Sequence, residues 1–312
     1  MTRVAGPSMS ESELARLYEF IEGGYREPSR VGRVRKAIAS GLRSVVKRGD
    51  GVPDTVDRAA APDPLRAVYV RAGPTFFVPL SACRNVAIFG FGAGAFDAWQ
   101  ETARQAAADP GVAASETVLA RFAEAYQPET AAELLFSDPE ADVPAGSRLW
   151  QLRTAEVTYF WPWSPAVAAW PRSVSTDLRL PSYGPLGRQV LELEVWRLRR
   201  LVASIQERGY RPQARDHVTG SLLSVDGELR FLIRSGFHRV AVLGALDHEE
   251  VPVRFANGVQ RLMTLDQLPT WPLVRDGVFT PQLAELLVER LYSEDGSAKA
   301  RELGLGPKEV TA

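Results

Sequence analysis

Apolar positions recur with two different periods along this chain, and the change of period divides it. Near the start, Leu14, Leu17, Tyr18 and Ile21 share one helical face, with a Ser10/Glu13 capping box ahead and Gly23-Gly24 behind. Val31, Val34, Ile38, Leu42 and Val45 continue the helical spacing within 26–48, a stretch with eight Lys/Arg and one Glu. This predicts a basic amphipathic helix, either packed on the body or contacting anionic lipid or nucleic acid. Residues 49–65 have the composition of a loop. Ala67–Arg71, Thr75–Leu80 and Asn85–Phe89 read as three strands, followed by helices near Asp97–Ala108 and Ser115–Tyr126. Gln127-Pro128-Glu129-Thr130 begins another helix through Leu135.

The pattern dissolves between 137 and 190. Pro, Ser and Trp dominate there, with four of the seven tryptophans (Trp150, Trp161, Trp163, Trp170) in a short span. So many aromatic residues predict a connector packed on a domain surface rather than a free linker. Periodicity returns with Leu191, Val195, Leu198, Leu201, Val202 and Ile205, a helix stopped by Gly209. Leu222–Val225, Asp226-Gly227 and Leu229–Ile233 form a hairpin signal. Ser235-Gly236 is then a turn, and Val240 to Leu246 a helix opened by His238 and Arg239. Val251–Phe255 is a strand. Thr280-Pro281 caps a last helix running to about Tyr292, and the tail beyond it reads as disordered.

The 45% hydrophobic content supports a substantial core, and the length of 312 residues admits two domains. The net charge of −1 gives no global attraction to nucleic acid. A single cysteine, Cys83, excludes a disulfide framework and a cysteine-based zinc site, and its apolar flanks predict burial. No apolar run reaches the length of a membrane span, and the first residues lack an apolar leader core. The expected location is the cytoplasm.

The strongest chemical signal is the strand–glycine–helix junction. A helix that starts directly after a glycine turn leaves unpaired N–H groups, which together with the helix dipole attract an anion. His238 and Arg239 in the first turn add donors, so a phosphate is the expected ligand of Ser235, Gly236, Phe237, His238 and Arg239. The bland alternative is that His238 and Arg239 cap the turn and pair with a carboxylate. Arg230 and Arg234 alternate with Leu232 on one face of the preceding strand, where they either extend the basic lining, Arg234 as a phosphate ligand, or form the solvent face of an edge strand.

Glu192 and Glu194 diverge by about 200° on a helix, so they cannot both face one site. Glu192 is carried as a candidate catalytic base, against a plain helix-terminus role for the pair. His217, His238 and His248 lie in one window, but no tight metal motif joins them, and no metal site is expected. Gly90-Phe91-Gly92-Ala93-Gly94-Ala95 imitates a dinucleotide-binding loop, yet no second parallel strand with a terminal acid follows. It reads as a glycine loop.

The order helix, Gly209, strand, Gly236-Phe237-His238-Arg239, apolar helix and Val251-Pro252-Val253 resembles the ParB/sulfiredoxin superfamily, with Ser204-Ile205 at the expected place in the first helix. The resemblance spans under a quarter of the chain. It implies nucleotide-phosphate binding at the Gly-x-x-Arg turn, with ATP, ADP or CTP as cofactor and Mg2+ as its companion ion. Phe237 stands where sulfiredoxins need cysteine, which argues against that activity. Phe-His-Arg replaces the Glu-Arg-Arg of ParB turns, and no DNA-binding helix-turn-helix is visible after 256, which argues against chromosome partition. A looser resemblance, through Tyr183-Gly184-Pro185, Glu192/Glu194 and Trp271-Pro272, is to uncharacterised bacterial proteins with a ParB-like domain near surface-glycan genes.

The expected fold is α+β: N-terminal helices over 1–50, a mixed region over 51–150, a Trp/Pro-rich connector over 151–182, and a ParB/sulfiredoxin-like domain over 183–258. A helical extension over 259–295 and a disordered tail over 296–312 complete it. The expected function is nucleotide binding, with phosphoryl-transfer or NTP-hydrolysing activity centred on His238. The alternative is a non-catalytic module that contacts a protein, nucleic acid or an anionic membrane surface.

Overall fold

The computed structural model describes residues 9–25, 57–71, 73–169, 183–211 and 217–305. The predicted basic helix at 26–48, Trp170 and residues 306–312 lie outside them.

The fold is α+β around one mixed sheet. Its strands are β1 (Phe76–Pro79), β2 (Cys83–Arg84), β5 (Val218–Val225), β6 (Glu228–Ser235), β7 (Glu250–Phe255) and β8 (Leu262–Thr264). A separate pair, β3 (Val157–Tyr159) and β4 (Ala168–Ala169), is antiparallel. The main order is β1-β7-β5-β6-β2, with β8 parallel to the outer half of β5. β5 and β6 form the expected hairpin. Asp226 (φ 50°) and Gly227 (φ 86°) both take the left-handed conformation that a tight two-residue turn needs.

The sheet draws on distant parts of the chain. β1 pairs antiparallel with β7, Phe77 opposite Pro252, and β2 pairs parallel with β6, Cys83 opposite Phe231. One hydrophobic core runs from Ala67 to Ala300 and includes Phe76, Trp99, Phe122, Phe231, Val240 and Leu287. Elements from both sides of the 151–182 connector therefore share one sheet and one core.

The helices are α1 (Glu11–Tyr25), α2 (Pro64–Tyr69), α3 (Ala98–Ala108), α4 (Val118–Ala125), α5 (Ala131–Leu135) and α6 (Pro139–Asp142). They continue with α7 (Arg188–Arg208), α8 (Phe237–Ala245), α9 (Pro272–Arg275), α10 (Pro281–Ser293) and α11 (Ser297–Glu302). Their caps are locally encoded. Ser10 and Glu13 form the expected box at α1, Thr130 and Glu133 another at α5, and Thr280 caps α10 with Pro281 at its first position. α3 packs against both α7 and α8. In the connector, Trp161 stacks on Trp163, whose ring meets Trp271 edge-on.

Three expectations need correction. Ala67–Arg71 is not a strand: Asp63 accepts from Leu65 N and Pro64 opens α2 instead. Asn85–Phe89 is not a strand either. The Asn85 side chain accepts from Ala87 N and Phe89 N, which curls the backbone into a turn, with Ile88 at φ 66°. Residues 296–305 are not disordered: α11 packs Ala300 into the core.

Candidate functional site

Gly236 ends β6 in the left-handed conformation (φ 89°) and is the N-cap of α8. A Cβ there would stand 3.0 Å from Val218 Cα, so backbone angle and space both demand glycine. Gly236 has no side chain to cap α8. Arg239 N and Val240 N donate to Gly236 O, while the N–H groups of Phe237 and His238 precede any intrahelical acceptor. Arg239 Nη1 lies 3.5 Å from the point where that Cβ would sit, so its guanidinium folds over the turn. Backbone donors, the helix dipole and the Arg239 cation thus lie at the same turn.

Beneath the turn is a buried carboxylate. Glu194 on α7 is 1% exposed. Its Oε2 meets His238 Nε2 at 2.6 Å and accepts from Trp99 Nε1 at 2.6 Å, and its Oε1 accepts from Arg197 Nη1 at 2.8 Å. Burial alone would raise its pKa. The His238 charge and hydrogen bond, then Arg197 and the Trp99 N–H, outweigh burial and hold it down at about 2. His238 keeps 19% of its side chain exposed, and its ring lies 4.0 Å from that of Phe237. Phe237 in turn meets Trp99 edge-on at 5.4 Å. The Arg197 guanidinium sits 4.5 Å from the centre of the Tyr18 ring, which extends the cluster to α1.

A second buried acid supports the first. Asp97 caps α3 by accepting from Trp99 N and Gln100 N, and it accepts from Asn85 Nδ2 at 2.8 Å. Burial pushes its pKa up to about 7 against the pull of these donors. The cap fixes the start of the helix that aims Trp99 at Glu194.

The glycine loop at 90–95 is structural. Gly92 N donates to Gln100 Oε1 and Gln100 Nε2 returns to Gly92 O, while Gly90 N and Phe96 N both donate to Asp295 O. The N–H groups of Gly90 and Gly92 that would cradle a pyrophosphate are already spent on the protein. The loop also lies against α8, where a Cβ on Gly244 would come within 2.0 Å of Gln100 Oε1 and 3.2 Å of Gly92 N.

The structure thus brings Gly236, Phe237, His238 and Arg239 together at the start of α8, with Ser235 exposed beside them. It does not bring Glu192 there. Glu192 accepts from Met9 N and from Arg188 Nε, so it ties the start of α1 to α7. Arg234 lines a cavity with Trp163 and Ser164. His217 is buried at the start of β5, His248 is exposed, and the described residues contain no group of acids, histidines and cysteine arranged to hold a metal ion. Sequence reasoning noticed Glu194 but not its role. The i,i+3 spacing to Arg197 was the available local signal, whereas Trp99 and His238 lie 95 and 44 residues away.

No family model, no curated protein and no solved structure matches the chain.

Proposed function

We propose that this is a phosphate-binding protein of the nucleotide-using kind, with the Gly236 turn as its anion site. The carrying observation is the Arg239 guanidinium folded over the uncapped start of α8. In this reading the N–H groups of Phe237 and His238 and the Arg239 fork hold phosphate oxygens. His238, fixed through Nε2 by Glu194, uses its other ring nitrogen to donate to the transferring or leaving phosphoryl oxygen. Mg2+, with no protein cage among the described residues, enters on the nucleotide phosphates. The resemblance of residues 183–258 to the ParB/sulfiredoxin superfamily belongs to the same reading, with ATP, ADP or CTP as ligand.

A second reading, a binding module without chemistry, is favoured by one feature. Glu194 already serves three donors, and among the described residues no other carboxylate hydrogen-bonds His238. Such a module would engage a protein, nucleic acid or an anionic membrane surface.

Thermal unfolding with ATP, ADP, CTP and GTP, each with and without Mg2+, tests the phosphate site. Ligand at 100 times its Kd adds about 2.7 kcal/mol to stability. A shift with one nucleotide that disappears in Arg239→Ala supports the proposal. No shift with any of them overturns it and leaves the binding-module reading.

A further inference from the structure

At the end of β6 away from the Gly236 turn, a groove of about 590 Å3 runs between the tip of the β5–β6 hairpin and α10. Its rim is of one charge. Asp226 and Glu228 from the hairpin and Glu285 and Glu289 from α10 line it, and all four are exposed. No Lys or Arg among the described residues lines it. Glu285 and Glu289 stand four residues apart on one helix face, where like charges repel. Arg290, the one cation of α10, is buried and bonded to Glu294 and Ser137 instead.

The floor is apolar, with Leu265, Val288 and Tyr292. Leu265 is one of four large hydrophobic side chains left exposed among the described residues. The two walls are tied together. Tyr292 Oη donates to Leu223 O at 2.8 Å and to Glu228 O at 3.1 Å, and Arg230 donates to Leu291 O and Tyr292 O. A preformed groove with an apolar floor and an acidic rim fits a cationic amphipathic segment, whose apolar stripe fills the floor while its Lys and Arg meet the rim.

This chain carries such a segment. Residues 26–48 hold eight Lys/Arg and one Glu, with Val31, Val34, Ile38, Leu42 and Val45 at helical spacing. The described chain resumes at Asp57, and Arg58 Nη2 donates to Glu250 Oε1 at 2.8 Å. Glu250 lies three residues before Val253, which pairs with Val218, and Asp226 lies eight residues beyond Val218. At about 3.3 Å per residue this register puts the Arg58 anchor and the hairpin tip roughly 36 Å apart, at opposite ends of the sheet. Residues 49–56 span only about 30 Å at full stretch. The segment therefore has no slack to lie along its own groove, whereas the groove of another molecule carries no such restriction.

We infer that the groove between the hairpin tip and α10 receives residues 26–48 of a second copy of this chain. Reciprocal insertion then closes a two-fold dimer with two such contacts. The inference does not depend on the Gly236 turn.

Sedimentation velocity of the full chain over a range of concentrations, at low and high salt, tests it. The expected result is a monomer–dimer equilibrium that weakens as salt rises. The exposed pair Glu285→Lys with Glu289→Lys should weaken dimerisation roughly tenfold or more, and so should Val34→Asp with Ile38→Asp in the segment. Circular dichroism checks that both variants are folded, and Arg239→Ala should dimerise like wild type. Mixing is the decisive step. The groove variant keeps an intact segment and the segment variant an intact groove, so a fluorescent label on one should report association with the other that neither shows alone. A monomer at every concentration, dimerisation indifferent to both pairs of substitutions, or a mixture no more associated than its parts would overturn the inference. A monomer whose groove binds an added synthetic 26–48 peptide would overturn it as well, and would assign the groove to a basic segment of another protein.

Discussion

His238 Nε2 and Glu194 Oε2 lie 2.6 Å apart, and this contact joins the exposed glycine turn to the buried helical layer. The histidine is thereby fixed in orientation from below, while Trp99 and Arg197 fix the glutamate. The rigidity of the turn therefore depends on residues from three helices.

The pH dependence of stability follows from Glu194. Its pKa is depressed in the folded state to about 2, against 4.5 as the ordinary value. A depressed carboxylate stabilises the fold above its unfolded pKa, and that contribution disappears as pH falls through the folded value. Wild type should therefore lose stability relative to Glu194→Gln between about pH 4.5 and 2, as read by urea unfolding at several pH values. A constant difference across that window would contradict the buried ionised carboxylate.

Trp99→Phe keeps an aromatic ring against Phe237 and deletes one donor to Glu194. A hydrogen bond to a charged group contributes about 1.5–3 kcal/mol. The variant should be less stable by that order in denaturant unfolding. Glu192→Ala, which removes only contacts to Met9 N and Arg188, should cost less.

Gly244→Ala tests the packing of the glycine loop on α8. Alanine is favoured over glycine in a helix by about 1 kcal/mol, yet here its Cβ would collide with Gln100 Oε1. Gln100 cannot move without releasing both bonds to Gly92. Overpacking of about 1–3 kcal/mol should win, so the variant should melt lower than wild type.

Cys83 is fully buried, and burial pushes its thiol pKa up to about 12. It should resist a thiol-reactive dye in native protein and react once denaturant unfolds the chain. Rapid native labelling would show that the β1–β2 region opens.

Much of this fold was legible locally. Asp226-Gly227 announced the hairpin, Gly236 the turn into α8, and Thr130 and Thr280 their helix starts, because each signal acts within four residues. The misread segments failed where a side chain overrode an apolar run. Ala67–Arg71 looks like a strand until Asp63 and Pro64 are seen to open a helix, and Asn85 captures the N–H groups that a strand at 85–89 would have needed. The turn itself was legible, but its support was not. Glu194 becomes central only because α3 and α7 pack together against α8, and no local pattern encodes that meeting.

The central claim is that the Gly236 turn holds phosphate through Arg239. Calorimetric titration of ATP, ADP and CTP into wild type and Arg239→Ala, with Mg2+ present, tests it most directly. The account predicts measurable binding of at least one nucleotide and a loss of roughly tenfold to a hundredfold in the variant, the value of a charge-assisted hydrogen bond. Equal affinity in the two folded proteins, or no binding to wild type, would contradict it.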